Sequence, residues 1–259
     1  MIGLIVVLVT ITLTLLAPVI DRYDPNFGNF DDLLASPSTA HIFGTDNFGR
    51  DVFARVLWGY RVSLAVGIVS VVAAVIAGVP IGLLAGYFGN PVDNILMRPL
   101  DLLMSFPAIM LAITLVAIFG TKTSVTILAL AIIYFPIMAR VLRGSVITVR
   151  GEEYVEAARS IGAKPLRVML RHVLPNSLGP LVVQASISMG IAILIEASLA
   201  FIGLSTQPPD PSLGGMLYEG RDFMREAPWV VTFPGLAIML AVLGFNLLGD
   251  GLRDVIDRS

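Results

Sequence analysis

Six long apolar windows constrain what this chain can fold into. They cover about residues 2–20, 62–88, 99–119, 124–143, 177–204 and 229–249. Each has roughly the 20 mostly apolar residues that a helix needs to cross the hydrocarbon core of a bilayer. The sequence therefore predicts an all-α polytopic membrane protein with six transmembrane helices. The first window has no basic residue before it, so we interpret it as a retained helix and not as a cleaved signal.

The composition excludes several classes of protein. Only 14% of the residues are charged, whereas a soluble domain has about 25%. The net charge of −2 argues against a nucleic-acid partner. There is no cysteine, and the only histidines, His41 and His172, are far apart in the sequence. We therefore expect neither a disulfide nor a metal site, and we expect His41 to be a solvated loop residue.

The distribution of basic residues predicts the orientation. Six spans place both termini on the same side of the membrane. The side that holds residues 151–175 carries ten Lys and Arg residues, from Arg98 to Arg258, and the other side carries seven. The positive-inside rule then places both termini in the cytoplasm, and the loops at about 21–61 and 205–228 outside.

The chain divides into four expected segments. They are a first transmembrane helix at 1–20, an extracytoplasmic loop at 21–61, a membrane domain at 62–249 and a cytoplasmic C-terminal tail at 250–259. Glycine and proline are frequent in the spans. Close helix packing is one explanation, and hinges in a moving bundle are the other.

Residues 151–175, GEEYVEAARSIGAKPLRVMLRHVLP, form a polar stretch between two apolar spans, which we call the polar loop. Tyr154, Ala158 and Ile161 are spaced to form one apolar helix face, and Gly162 is suited to end that helix. Pro165 suits the first turn of a second helix, which we expect to end at residues 174–176. The predicted apolar face of this second helix consists of Leu166, Met169, Leu170 and Val173.

Two interpretations of the polar loop compete. An amphipathic loop can lie on the lipid headgroups, with its arginines on phosphates. It can also bind a protein in the aqueous phase. The first helix opens with three glutamates, Glu152, Glu153 and Glu156. Because these would be repelled by an anionic leaflet, we favour a protein partner.

The polar loop resembles the EAA loop of ABC-importer permeases. The matching residues are Glu156-Ala157-Ala158, Gly162 and His172-Val173-Leu174-Pro175, at the spacing and between the spans that this family uses. The general pattern has an aliphatic residue where His172 stands, and the peptide-transporting branch tends to have histidine there.

Other segments are similar to the dipeptide, oligopeptide and nickel permeases of this family, in their shorter C-type subunit. The longest matches are Gly44 to Arg61, Met97 to Pro107, Gln207 to Trp229 and Asn246 to Asp254. The resemblance implies a type I importer permease fold with cytoplasmic coupling helices. It also implies a subunit of the bacterial or archaeal cytoplasmic (inner) membrane that lines half of a path for peptides or similar solutes.

The resemblance further implies the partners. A second permease subunit would complete a heterodimer, two cytoplasmic ATPase subunits would bind the EAA loops, and an extracytoplasmic solute-binding protein would deliver the solute. ATP and Mg²⁺ would bind the ATPase subunits, because this chain has no phosphate-binding GxxxxGK[ST] sequence. No cofactor is expected on this chain, whose other contacts are with membrane lipid.

The candidate site residues follow from this resemblance and from the polarity of the side chains. The ATPase-coupling residues are expected to be Glu153, Tyr154, Glu156, Ala157, Ala158, Ile161, Gly162, Arg171 and His172. The candidates for the binding-protein docking surface are Asp46, Arg50, Asp51 and Arg221. An ordinary salt-bridged loop is the alternative explanation for the first three of these.

Glu196 is the most unusual residue within a span, in the stretch AILIEASLAF. A carboxylate at the bilayer centre is costly, so it should face protein or water. It either lines the translocation pathway or is a buried partner of a hydroxyl or a basic group. The same two alternatives apply to Gln184, three turns earlier.

Two other classes of function are alternatives. A membrane-embedded hydrolase needs a catalytic constellation inside the spans, and the sequence has no HExxH motif, aspartate pair or Ser/His pair there. A secondary transporter or channel would transport without ATP. We therefore expect a transport subunit that has no catalytic residues.

Overall fold

The computed structural model describes residues 2–256, in which the regular structure is helical apart from one bridge between Thr45 and Asp51. The helices are α1 (Ile2–Ile20), α2 (Val52–Phe88), α3 (Val92–Met104), α4 (Ala108–Phe119), α5 (Thr123–Val149), α6 (Glu153–Ser160), α7 (Pro165–Val168), α8 (Leu174–Phe201), α9 (Leu213–Gly220) and α10 (Trp229–Ile256). Short 3-10 turns lie at Phe30–Asp32 and Arg221–Phe223.

The predicted spans are present as membrane-length helices, with one break. In the described residues five helices are long and apolar enough to cross a membrane, and α3 with α4 makes a sixth only as a pair bent by 85°. The bend lies at residues 105–107, where Pro107 disfavours helical geometry in Phe106. The prediction of one continuous span at about 99–119 was therefore wrong.

Two predicted boundaries also need correction. Helix α2 begins at Val52 and not at residue 62, because the Asp51 carboxylate caps it by accepting a 2.8 Å hydrogen bond from the Ala54 amide. The preceding loop therefore ends at residue 51. At the other end α10 continues to Ile256, so most of the predicted tail is helical. Residues 257–259, including Arg258, lie outside the described part of the chain.

Helices α2 and α5 pack closely because α2 presents a row of glycines. Gly78, Gly82 and Gly86 recur at every fourth position and face α5. A Cβ atom added at Gly82 would collide with the carbonyl oxygen of Ala139. Small residues at this spacing let two helix backbones approach each other. Close packing therefore accounts for these three glycines.

The substitution Gly82→Ala tests this contact. The added methyl group would meet backbone, so the two helices must separate, and such overpacking costs about 1–3 kcal/mol. We expect the variant to melt several degrees lower in detergent. Gly144→Ala on α5 is the matched control, because a Cβ atom there would meet nothing within 4 Å. Equal melting temperatures for the two variants would contradict the close approach.

Two clusters of buried apolar side chains hold the functional segments in position. The first joins α2, α5 and α8 to the polar loop, because Val155, Val168 and Met169 are buried with Leu83 and Val146. The second cluster joins α1, α2, α9 and α10 toward the opposite end of the molecule. The polar loop is therefore an integral part of the packed core.

Candidate functional site

The first arm of the polar loop is a short helix with a defined end. Helix α6 stops in a motif in which the Gly162 amide donates to the Arg159 carbonyl and the Ala163 amide to the Ala158 carbonyl. Gly162 has φ +82°, the left-handed conformation that glycine adopts without penalty at this position. Its predicted role as a helix stop is confirmed.

The second arm does not end before the membrane span. One apolar helical segment runs from Pro165 to Phe201. Residues Met169–Val173 form a π turn within it, and α8 follows directly. The predicted break at residues 174–176 was therefore wrong. Pro175 lies two residues after this π turn, and π turns are common at functional sites.

Each arm divides its predicted apolar face between the core and the exposed surface. Helix α6 buries Val155 and Ala158, while Tyr154 and Ile161 are 45% and 86% exposed. The second arm buries Val168, Met169 and Val173 and exposes Leu166 and Leu170. The π turn at Met169–Val173 rotates the residues that follow it, whereas Tyr154, Ile161 and Leu166 precede it.

The result is an exposed apolar surface on an ordered scaffold, which we call the loop surface. It consists of Tyr154, Ile161, Leu166 and Leu170. Five other predicted coupling residues are also exposed, whereas His172 is partly buried; the five are Glu153, Glu156, Ala157, Gly162 and Arg171. An apolar patch with a charged rim is typical of a protein-binding site.

Arginines fix the polar loop to the membrane helices. Arg150 donates hydrogen bonds of 2.8 and 3.0 Å to the carbonyls of Gly86 and Tyr87, in the last turn of α2. The Arg159 guanidinium lies 5.1 Å from the centre of the Tyr87 ring. Sequence reasoning missed both contacts. The tendency of basic side chains to bind the last carbonyls of a helix was the available signal for Arg150.

A bidentate ion pair holds α3 on α5 at the same end of the molecule. The Arg143 Nε and Nη2 atoms each lie 2.5 Å from the Asp93 carboxylate. The more exposed Arg140 binds Asp101 at 2.5 Å. These pairs secure the helix that precedes the 85° bend.

Glu196 is fully buried on α8. Its carboxylate accepts hydrogen bonds from the Ser63 hydroxyl at 2.8 Å and from the Ser205 hydroxyl at 3.1 Å. This is the arrangement of the second alternative, a buried partner of hydroxyl groups. Gln184 is partly exposed, and its amide nitrogen lies 3.2 Å from the Ser188 hydroxyl. The structure does not bring Glu196 and Gln184 into contact.

At the opposite end a buried charge network joins the loop before α2 to α9. Arg50 binds Asp46 at 2.7 Å and Glu219 at 2.6 Å. Arg55, whose side chain is 2% exposed, binds the same two carboxylates at 3.5 and 3.3 Å. The sequence did not identify Glu219 as a partner, because it lies far along the chain from both arginines.

The predicted docking residues therefore divide into two groups. Asp46, Arg50 and Asp51 are buried and bonded within the chain, and His41 binds Asp51 at 2.8 Å with a side chain that is mostly buried. The expectation that His41 is solvated was wrong. Arg221 is exposed and lies over the Tyr218 ring at 4.2 Å. Of the four predicted docking residues, only Arg221 is thus accessible to a partner.

Within residues 2–256 no group of three or more His, Asp or Glu side chains is placed to hold a metal ion. The features that remain in this part of the chain are the exposed apolar loop surface, a packed helical bundle and the buried charge network that joins the loop before α2 to α9.

Comparisons with known proteins identify the relatives of the chain. Residues 78–259 match the family described as binding-protein-dependent transport system inner membrane component. The dipeptide transport system permease protein of Alkalihalophilus pseudofirmus is 45% identical over 256 residues, which are 99% of this chain and 84% of that protein. The glutathione transport system permease protein of Pectobacterium atrosepticum is 46% identical over 252 residues, or 97% and 84% of the two chains.

Solved structures show the same fold at lower identity. The methionine ABC transporter MetNI in an inward-facing conformation matches with a TM-score of 0.63 and 21% identity, covering 79% of this chain and 96% of that chain. An amino acid ABC transporter matches with a TM-score of 0.57 and 16% identity. The fold is thus that of ABC-importer permeases, which are transport subunits and not enzymes. The chain belongs to the family of binding-protein-dependent transport system inner membrane components.

Proposed function

We propose that the chain is the permease subunit of an ATP-driven importer for peptides or similar small solutes, and that it lines one half of the translocation pathway. The peptide and glutathione permeases that match it over nearly its whole length support this substrate class. Substrate choice within the class would rest largely with a separate solute-binding protein.

The proposed assembly has four kinds of partner. A second permease subunit completes a heterodimer, and two cytoplasmic ATPase subunits bind ATP and Mg²⁺. A solute-binding protein docks on the extracytoplasmic side, where Arg221 is an accessible candidate contact. Membrane lipid surrounds the spans. Both termini and the polar loop lie in the cytoplasm, an orientation supported by the excess of basic residues on that side.

The observation that carries the proposal is the loop surface. A chain gains no stability from exposed Tyr154, Ile161, Leu166 and Leu170. They are nevertheless held in place by a glycine-terminated helix, two arginine contacts and a buried core. An ordered apolar surface beside three glutamates fits a protein partner better than an anionic leaflet. We infer that the ATPase subunits bind this surface.

Of the two candidate pathway residues, we keep one. Gln184 remains a candidate lining residue because it is partly exposed on α8. For Glu196 we propose a structural role, which its two serine partners support. The functional segments of the chain are then α1, the loop at 21–51, the membrane bundle with the polar loop, and the end of α10.

Replacing Ile161 by serine tests ATPase binding. Because Ile161 is 86% exposed, the substitution should leave the fold intact and remove apolar contact area from a partner. We expect the amount of ATPase subunit that co-purifies with the chain to fall roughly tenfold, as loss of a central interface side chain allows. Ile95→Ser is the matched control, since Ile95 is 69% exposed on α3.

Unchanged ATPase recovery with Ile161→Ser would contradict the assignment of the loop surface. Transport that persists in vesicles without ATP would contradict the importer proposal itself and favour a secondary transporter.

A further inference from the structure

An apolar groove of about 500 Å³ lies between α1, α2 and α10. Such a volume lies within the range of small-molecule sites. Five of the residues that line the groove are each between 41% and 56% exposed, which shows that it opens to the surface of the bundle: Ile5, Val9, Leu13, Leu236 and Leu240. All three helices are membrane-length spans, so the groove opens toward the hydrocarbon region.

No polar side chain that lines the groove is free to bind water. Its hydroxyl groups belong to Thr10 and Tyr60, and both already donate to backbone carbonyls, of Val6 at 2.8 Å and of Ala237 at 2.5 Å. The remaining lining is aliphatic or aromatic. An apolar cavity without free polar groups stays dry or takes up an apolar ligand.

A polar mouth adjoins one end of the groove. Phe53 lines the groove and also a second cavity of about 160 Å³, which contains Arg22 and Asp21. Arg22 follows the end of α1 at Ile20, and Leu13 lies roughly 10 Å of helix rise below Ile20. A cation thus lies above a hydrocarbon-lined groove, with one aromatic ring between them.

Arg22 is the cation that lines this mouth, together with the carboxylates of Asp21 and Asp51. The Asp21 carboxylate accepts from the Trp58 indole at 2.9 Å, and that of Asp51 binds His41 and caps α2. In the described part of the chain no acidic group lies within 4.0 Å of the Arg22 guanidinium. Phosphate is the anion that occurs at this depth of a membrane.

We propose that this groove is a phospholipid site. One acyl chain lies between α1, α2 and α10, passes Phe53, and places the lipid phosphate beside Arg22. The lipid comes from the leaflet on the side of the loop at residues 21–51. It fills the space between α1 and the rest of the bundle. Each buried methylene group contributes to retention, as does the attraction between arginine and phosphate.

A photoactivatable phospholipid tests the site. The chain, with its co-purifying subunits, is reconstituted in vesicles of phosphatidylethanolamine and phosphatidylglycerol that contain a phosphatidylcholine with a diazirine in one acyl chain. After illumination, peptide mass spectrometry maps the labelled residues. We expect labels concentrated on the groove faces of α1, α2 and α10.

Two pairs of variants locate the ligand. Val9→Trp fills the groove and should lower labelling there roughly tenfold, the effect of about two lost methylene contacts. Val19→Trp is its control, because Val19 lies on the same helix, 81% exposed and outside the groove. Arg22→Gln should lower labelling roughly fivefold. Arg225→Gln, at another exposed arginine, should leave it unchanged.

Other results would overturn the proposal. Equal labelling in Val9→Trp and Val19→Trp would mean that lipid contacts α1 only as bulk solvent. Labels on a partner subunit in place of the groove faces would mean that protein covers this surface. Neither result depends on transport, so the lipid site can fail while the importer proposal stands.

Discussion

Replacing Glu219 by alanine is expected to lower the free energy of unfolding by about 3 kcal/mol. Removing one partner of a buried ion pair typically costs about 3–5 kcal/mol, because a buried charge is left uncompensated. Glu219 binds both Arg50 and Arg55. We expect the lower end of that range because Asp46 still binds both arginines. For a chain of this size the melting temperature should fall by roughly 10 °C.

Melting in detergent, followed by tryptophan fluorescence, measures this effect. Glu226→Ala is the matched control, since Glu226 is exposed on the same side of the molecule and no ion pair involving it occurs within residues 2–256. Glu219→Gln should fall between the two, because an amide oxygen can still accept a hydrogen bond. If both alanine variants melted alike, the network would contribute no stability.

Replacing Gly162 by valine is expected to have the largest effect on coupling. Gly162 has φ +82°, and a Cβ atom there would meet nothing within 4 Å. The penalty is therefore one of backbone strain, roughly 1–2 kcal/mol, which the loop can relieve by turning α6 away from the second arm. Displacing the loop surface should lower ATP-driven peptide uptake more than tenfold, while the membrane helices remain folded.

Two controls separate strain from coupling. Gly162→Asn should retain most of the uptake, since asparagine tolerates the left-handed conformation. Gly203→Val introduces the same kind of strain at φ +78°, also with nothing within 4 Å, but beyond the other end of α8. It should lower the melting temperature without reducing ATPase co-purification. Normal uptake by Gly162→Val would exclude a coupling role for the loop geometry.

The apolar windows predicted the membrane helices because length and hydropathy depend on local composition alone. They misplaced the start of α2, since Arg55 and Arg61 lower the hydropathy of its first turns. Arg55 can be buried there only because Glu219, distant in the sequence, reaches it. A partner of that kind has no local signal in the sequence.

At the polar loop, periodicity predicted an apolar face but not which of its residues are buried. Tyr154 and Ile161 of that face are exposed, whereas Val155, outside it, is buried. Exposed apolar residues break the rule that links hydropathy to burial, and sites that bind partners are where such departures are expected. The helix stop at Gly162 was predictable, because it depends on the conformation of a single residue.

The unbroken passage from the polar loop into α8 has a mechanical consequence. The helical segment Pro165–Phe201 comprises 37 residues and is roughly 55 Å long. Tilting it by about 10° around its midpoint would sweep each tip sideways by about 5 Å in opposite directions. A small displacement of this helix on one side of the membrane would thus move its other end on the opposite side. That end lies near the Glu196 carboxylate, which accepts hydrogen bonds from Ser63 and Ser205.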